Sequence, residues 1–131
     1  EAMVWQPRWL AHPNGALALT RLVIAVADPQ EAAARFARFT GRAATRAASG
    51  LSIALDRGCV DLVGADAFAR LLPEIAIPSL PFPGAYGIRV ASLLRTDDLL
   101  SRAGLPTRWN EQELVAAFPA ELGRGAWLFT E

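Results

Sequence analysis

Arg21 and Arg89 are the side chains whose type and placement point most directly to chemistry. Each lies in a run of apolar, β-branched sequence, 17–26 and 86–94, where a charge breaks the pattern of a strand covered on both faces. A guanidinium offers fixed N–H donors matched to carboxylate or phosphate, so two of them facing one cavity would favour an anionic ligand. The competing reading is internal, with Arg21 paired to Asp61 and Arg89 to Glu131 or Glu113, because an unpaired buried charge is strongly destabilising. Tyr86, Trp109, Trp127 and Phe129 fall on expected strands of the second half, where such rings line an apolar cup or fill a core.

Other reactive side chains read as structural. His12 is the one side chain whose unperturbed pKa lies near neutrality, but it opens the turn His12-Pro13-Asn14-Gly15, where a surface or rim position is the more natural reading than a general base. Cys59 has only Arg57 as a basic neighbour in sequence and reads as a small core residue rather than a thiolate. Asp97 and Asp98 look like paired acid–base carboxylates, yet they are expected in the first turn of a helix capped by Thr96, where negative charge complements the dipole.

Composition excludes several classes. The 131 residues suit one domain with its own core, and 53% hydrophobic residues with zero net charge argue against disorder and against general attraction to nucleic acid or acidic membranes. All 13 basic residues are arginine, which removes a lysine Schiff base or phosphate-loop lysine. One cysteine and one histidine build neither an internal disulfide nor a Cys/His zinc site. No run approaches the ~20 apolar residues of a membrane span, and a cytoplasmic protein is expected. The start at Glu1-Ala2-Met3 fits a piece excised from a longer protein.

The elements that must position these side chains follow from local signals. Residues 1–15 form a lead-in anchored by Trp5 and Trp9. A strand over 17–26 runs into a helix that Asp28 caps, Pro29 begins, Glu31 supports at capping-box spacing and Gly41 stops, with Ala32, Ala33, Phe36 and Phe39 on its apolar face. Extended segments over 43–48, 51–55 and 59–63 and a helical turn over 66–72 complete a βαβββ unit spanning 16–72. The Pro-rich run 73–85 is the linker. A second unit, 86–131, repeats the order, with a strand over 86–94, a helix from Thr96 to about Gly104, and strands over 107–110, 113–118 and 126–130. Arg21 and Arg89 stand seven residues before Asp28 and Thr96, an offset of 68 in both cases. Strand alternation then puts both arginines on the face opposite Leu22, Ile24, Val26, Val90 and Leu94, which lie under the helices.

This tandem βαβββ order, with the run His12-Pro13-Asn14-Gly15-Ala16 and the strand–helix that follows, resembles the glyoxalase-like proteins of the vicinal oxygen chelate superfamily. The resemblance implies an α+β fold in which two units form curved mixed sheets around a cup-shaped cavity. Relatives include glyoxalase-type lyases and isomerases, extradiol dioxygenases, epimerases and metal-free drug-binding proteins. In metal-dependent members the ligands come from the first and last strands of each unit. Those places fall here on Arg21, on Arg89 or Gly87, near Asp61, and near Thr130 or Glu131. Two carboxylates beside a guanidinium do not make a transition-metal site, so neither metal nor other cofactor is expected.

The resulting expectation is a small-molecule-binding protein for an apolar or aromatic anion, its site formed by Arg21, Arg89, Asp61, Tyr86, Trp109 and Trp127, acting as a homodimer or as partner domain of a longer chain. Two alternatives stand beside it. One is a metal-dependent lyase, isomerase or dioxygenase completed by a missing half or a partner chain, and the other a structural dimerisation module.

Overall fold

The structure, a computed structural model, describes residues 12–131; the lead-in with Trp5 and Trp9 lies largely outside the described residues. The first unit consists of β1 (Ala16–Val26), α1 (Pro29–Thr40), β2 (Ala44–Ala47), β3 (Gly50–Leu55), β4 (Gly58–Gly64) and α2 (Ala65–Leu71). The second consists of β5 (Phe82–Val90), α3 (Leu93–Arg102), β6 (Arg108–Asn110), β7 (Glu113–Ala117) and β8 (Ala126–Thr130). The fold is α+β, and all eight strands join one curved mixed sheet in the order β2-β3-β4-β1-β5-β8-β7-β6. Within each unit the first strand pairs in parallel with the last, β1 with β4 and β5 with β8, and the antiparallel β1–β5 seam joins the units inside one chain.

Local chemistry explains the first helix. Asp28 Oδ1 accepts the Glu31 N–H at 3.2 Å, Pro29 occupies the first turn, and Gly41 closes the helix at φ 72° with its N–H on the Ala37 carbonyl at 2.8 Å. The Glu31 carboxylate does not complete a capping box; it pairs with Arg35 Nε at 2.7 Å, one turn along. The buried stripe is Ala32 and Ala33 with Phe36 partly buried; Phe39, expected on the apolar face, is 90% exposed.

The second unit departs from expectation at its helix. The strand ends at Val90, and Ser92, not Thr96, is the cap, its Oγ accepting the Arg95 N–H at 3.1 Å. Ser92 and Thr96 are one helical turn apart and both are cap-type residues. Ser92 follows its strand by two residues, as Asp28 follows Val26, so the repeat offset is 64, not 68. Thr96 is buried inside the helix with its hydroxyl on the Ser92 carbonyl at 2.8 Å, Leu94 is exposed on α3, and Asp97 and Asp98 sit in the second turn. The linker between the units also stops earlier than expected, because β5 already begins at Phe82.

Two packing layers follow from alternation. On the convex face α1 covers Ile24, Val26, Leu51, Ile53 and Leu62, and α3 covers Val90, Leu114, Ala116 and Phe129. On the concave face α2 inserts Phe68 and Leu72 against Val23, Ala25, Val63, Ala85, Val115 and Leu128, filling one end of the cup. A register shift opposite Val23–Ile24 leaves Gly84 at the close approach, where a Cβ would lie 2.4 Å from Phe68 Cζ. Among the described residues no helix is long and apolar enough to cross a membrane.

Candidate functional site

Where α2 does not reach, the concave face is polar. The strand registers build a row of side chains across it. Arg21 on β1 is in register with Cys59 on β4 and faces Gly87 on β5, with Asp61 two residues beyond Cys59 and Ser52 opposite Asp61 on β3. Arg89 follows Gly87 by two residues and is in register with Thr130 on β8. Glu113, one step beyond the Leu114–Phe129 pair, stands opposite Thr130, and Asn110 on β6 pairs with Glu113. This row runs Asp61, Arg21, Arg89, Thr130, Glu113, Asn110 across six strands.

Arg21 anchors the row. Its Nε donates to Asp61 Oδ2 at 2.5 Å, and its Nη1 lies 3.7 Å from Glu113 Oε1, an ion contact rather than a hydrogen bond. Asp61 is 7% exposed, so the guanidinium is what makes its burial tolerable. The expected internal pairing of Arg21 with Asp61 therefore exists, joined by a reach across the cup to Glu113. Arg89 is exposed and has no carboxylate within ion-pair distance among the described residues. Glu131, its other expected partner, instead accepts the Leu93 N–H at 2.8 Å.

Glu113 is unevenly satisfied. Its Oε2 is shielded from solvent and has no hydrogen-bond partner among the described groups, while Oε1 faces Arg21. Glu113, Thr130 and Asn110 line an open cavity of about 810 Å³ with Leu93, Glu111, Gln112 and Glu131. Asn110 is shared with a second cavity of about 380 Å³, bounded by Ser49, Ala67, Arg70, Leu71 and Arg108. There Arg108 is held by Glu74 through two contacts of 2.8 Å, which set Glu74 below its usual range.

Cys59 belongs to the same face. Burial pushes its thiol above the usual range, and the Asp61 charge adds to the rise, so the group is a protonated thiol rather than a nucleophile. Its proximity to Asp61 was present in the i, i+2 spacing along one strand.

The aromatic side chains are not brought together with the arginines. Leu22, Tyr86, Trp127 and Ala116 are successive neighbours across the sheet on its convex face, and Trp109 pairs with Leu114 on that same face. Tyr86 and Trp127 pack on Phe118, with ring centroids 5.8 and 4.8 Å apart, and Trp109 Nε1 donates to Asp97 Oδ2 at 3.3 Å. The reason is alternation. Tyr86 stands an odd number of residues from Arg89, as Trp127 does from Thr130, and odd neighbours on a strand face opposite ways.

The places at which metal-dependent relatives carry ligands are resolved by register. Of the places to which the resemblance carries ligands, Arg21 is a cation facing Gly87, Arg89 is an exposed cation in register with Thr130, Asp61 is paired to Arg21, and Glu131 is held on the Leu93 N–H. Among the described residues no three His, Cys, Asp or Glu side chains converge as a metal-binding group. The donors present do not fit a divalent transition metal, because Asp61 and Glu113 are already turned toward the fixed charge of Arg21.

No family model matches the sequence, and no curated protein matches it. Solved structures do. The fold superposes on methylmalonyl-CoA epimerase from Mycobacterium tuberculosis with a TM-score of 0.68 at 16% identity, covering 96% of both chains. A hypothetical protein from Bacillus halodurans C-125 gives a TM-score of 0.60 at 12% identity over 86% of this chain and 91% of that one. A selenomethionine form of methylmalonyl-CoA epimerase gives 0.59 at 11% identity over 88% and 97%. At these identities the likeness shows the fold alone, an α+β arrangement consistent with the βαβββ glyoxalase fold.

Proposed function

We propose that this chain, having the glyoxalase-like fold, is a small-molecule-binding protein that takes a small organic anion on the concave face without a bound transition metal. The observation carrying this reading is the division of labour between the two arginines. Arg21 is committed to Asp61 and leans on Glu113, while Arg89, on the same face and diagonally across the β1–β5 seam, has no carboxylate partner among the described residues. An exposed guanidinium beside the Thr130 hydroxyl supplies the donors a carboxylate or phosphate needs; Thr130 opens onto the larger cavity, whose carboxylates Glu111, Glu113 and Glu131 leave the anion to the Arg89 side.

The proposed ligand is less aromatic than composition suggests, since Tyr86, Trp109 and Trp127 belong to the convex face. The test is calorimetric titration of the purified chain with acetate, benzoate and inorganic phosphate, repeated on Arg89→Ala. Binding of at least one anion to the wild type, weakened about tenfold or more in the variant, is the expected result, in line with loss of a charge-assisted pair. Equal affinity in both proteins would remove Arg89 from the site, and no binding of any anion would end the reading. Metal analysis of the same preparation should give far less than one equivalent of Fe, Ni, Mn or Zn, and near one equivalent would overturn the metal-free assignment.

A further inference from the structure

We infer that the ligand is a short carboxylate with a hydrogen-bond donor on the neighbouring carbon, such as a 2-hydroxy or 2-amino acid; this rests on the anion-binding reading and adds a second recognition point to it. The second point is Glu113. Thr130 sits between Arg89 and Glu113, in register with the first and opposite the second, so the three side chains span three adjacent strands on one face. Neighbouring strands are ~4.8 Å apart, which puts the Arg89 and Glu113 backbones ~10 Å from each other; their side chains are not within ion-pair distance of one another, so the ligand is inferred to bridge the space between them.

The two ends of this gap differ in what they lack. Arg89 presents donors and has no carboxylate within ion-pair distance among the described residues. Glu113 presents acceptors and has too few donors. Its nearest cation, Arg21 Nη1, is 3.7 Å away, beyond hydrogen-bond range, and its other oxygen is shielded without a partner. An acceptor held away from water with no donor raises the energy of the empty site, and a ligand group that donates to this carboxylate lowers it. A simple carboxylate satisfies only the Arg89 end and places its own negative charge near Glu113. A carboxylate with a hydroxyl or ammonium beside it satisfies both ends at once. The acid cannot bind in the reverse sense, since that would bring two carboxylates together at Glu113.

The experiment compares lactate and alanine with propionate, which has the same carbon chain and no donor. On the wild type, lactate or alanine should bind about tenfold more tightly than propionate, the value of one hydrogen bond to a charged acceptor. On Glu113→Ala that advantage should fall to near unity while propionate affinity holds or improves. Thr130→Val, close in shape, should weaken all the acids together. Stronger lactate binding than alanine assigns a hydroxyl donor, and the reverse assigns an ammonium. Equal binding of all three acids by the wild type, or an advantage that survives in Glu113→Ala, overturns this inference and leaves the anion-binding reading standing. Failure of propionate, lactate and alanine alike to bind a wild type that also ignores acetate, benzoate and phosphate overturns both. Circular dichroism and melting of each variant separate lost binding from lost folding, and Glu113→Gln, which keeps one acceptor oxygen, should retain part of the advantage.

Discussion

Arg21 and Gly87 face each other across the β1–β5 seam so closely that a Cβ on Gly87 would lie 2.7 Å from Arg21 Cβ and 3.1 Å from Thr20 Oγ1. The absence of a side chain at 87 is what lets Arg21 lie along the sheet toward Asp61 on one side and Glu113 on the other. Gly87→Ala should therefore destabilise the protein by about 1–3 kcal/mol, the usual cost of overpacking, and lower the melting temperature by several degrees. Gly64→Ala is the control, since its Cβ would meet nothing closer than Pro29 Cγ at 3.9 Å. Equal melting temperatures for Gly87→Ala and Gly64→Ala would show that the seam is not tight at Arg21.

The fold was legible from strand–helix signals because those are local. Asp28, Pro29 and Gly41 sit beside the backbone groups they serve, and the structure uses each as read. α3 starts one turn earlier than its sequence signals, because Ser92 and Thr96 are both good caps and Leu93-Leu94 extends the apolar run of β5. The facing of the arginines is unaffected by this shift, since offsets of 64 and 68 are both even and strand alternation depends only on parity. The same parity, applied to Tyr86 and Trp127, separates them from Arg89, so their facing is already encoded in the residue spacing. The reach of Arg21 to Glu113 joins residues from opposite ends of the chain through sheet curvature, and no local pattern encodes it.

The Arg21–Asp61 pair should be costly to break from one side and cheaper to remove from both. Arg21→Ala leaves a carboxylate that is 7% exposed without its cation, and a loss of about 2–4 kcal/mol is expected, below the ceiling for a fully buried pair because Arg21 itself is partly exposed. Asp61→Asn in the Arg21→Ala background should recover part of that loss. A double-mutant cycle by urea denaturation measures the coupling. Strictly additive losses would mean that Asp61 is held by other groups.

Cys59 supplies a probe of the same cluster. Burial and the Asp61 charge both raise its thiol, while Arg21 acts in the opposite sense. Alkylation by iodoacetamide should therefore be slow near neutral pH and rise only at pH above the ordinary thiol range. Asp61→Asn removes one raising charge and frees Arg21 to act on the thiolate, so the midpoint of the pH–rate curve should move down. An upward or absent movement would separate Cys59 electrostatically from Asp61.

The Glu74–Arg108 clasp ties β6 to the segment after α2 and closes one wall of the smaller cavity. The hydrogen bond from Arg108 lowers Glu74 below its usual value, more than burial raises it. A carboxylate whose folded value is depressed contributes stability above its unfolded value, ~4.3 for glutamate, and loses it as pH falls through the folded value. Arg108 is raised in turn and stays charged throughout the accessible range, so only Glu74 sets the window. Because both side chains are about one-third exposed, the contribution is held to about 1 kcal/mol or less. Wild type and Glu74→Gln should thus differ modestly in urea midpoint at pH 7 and converge as pH falls below the ordinary glutamate range. A difference that persists unchanged at pH 2.5 would assign the clasp to packing rather than charge, and one that grows on acidification would contradict the sign of the Glu74 shift.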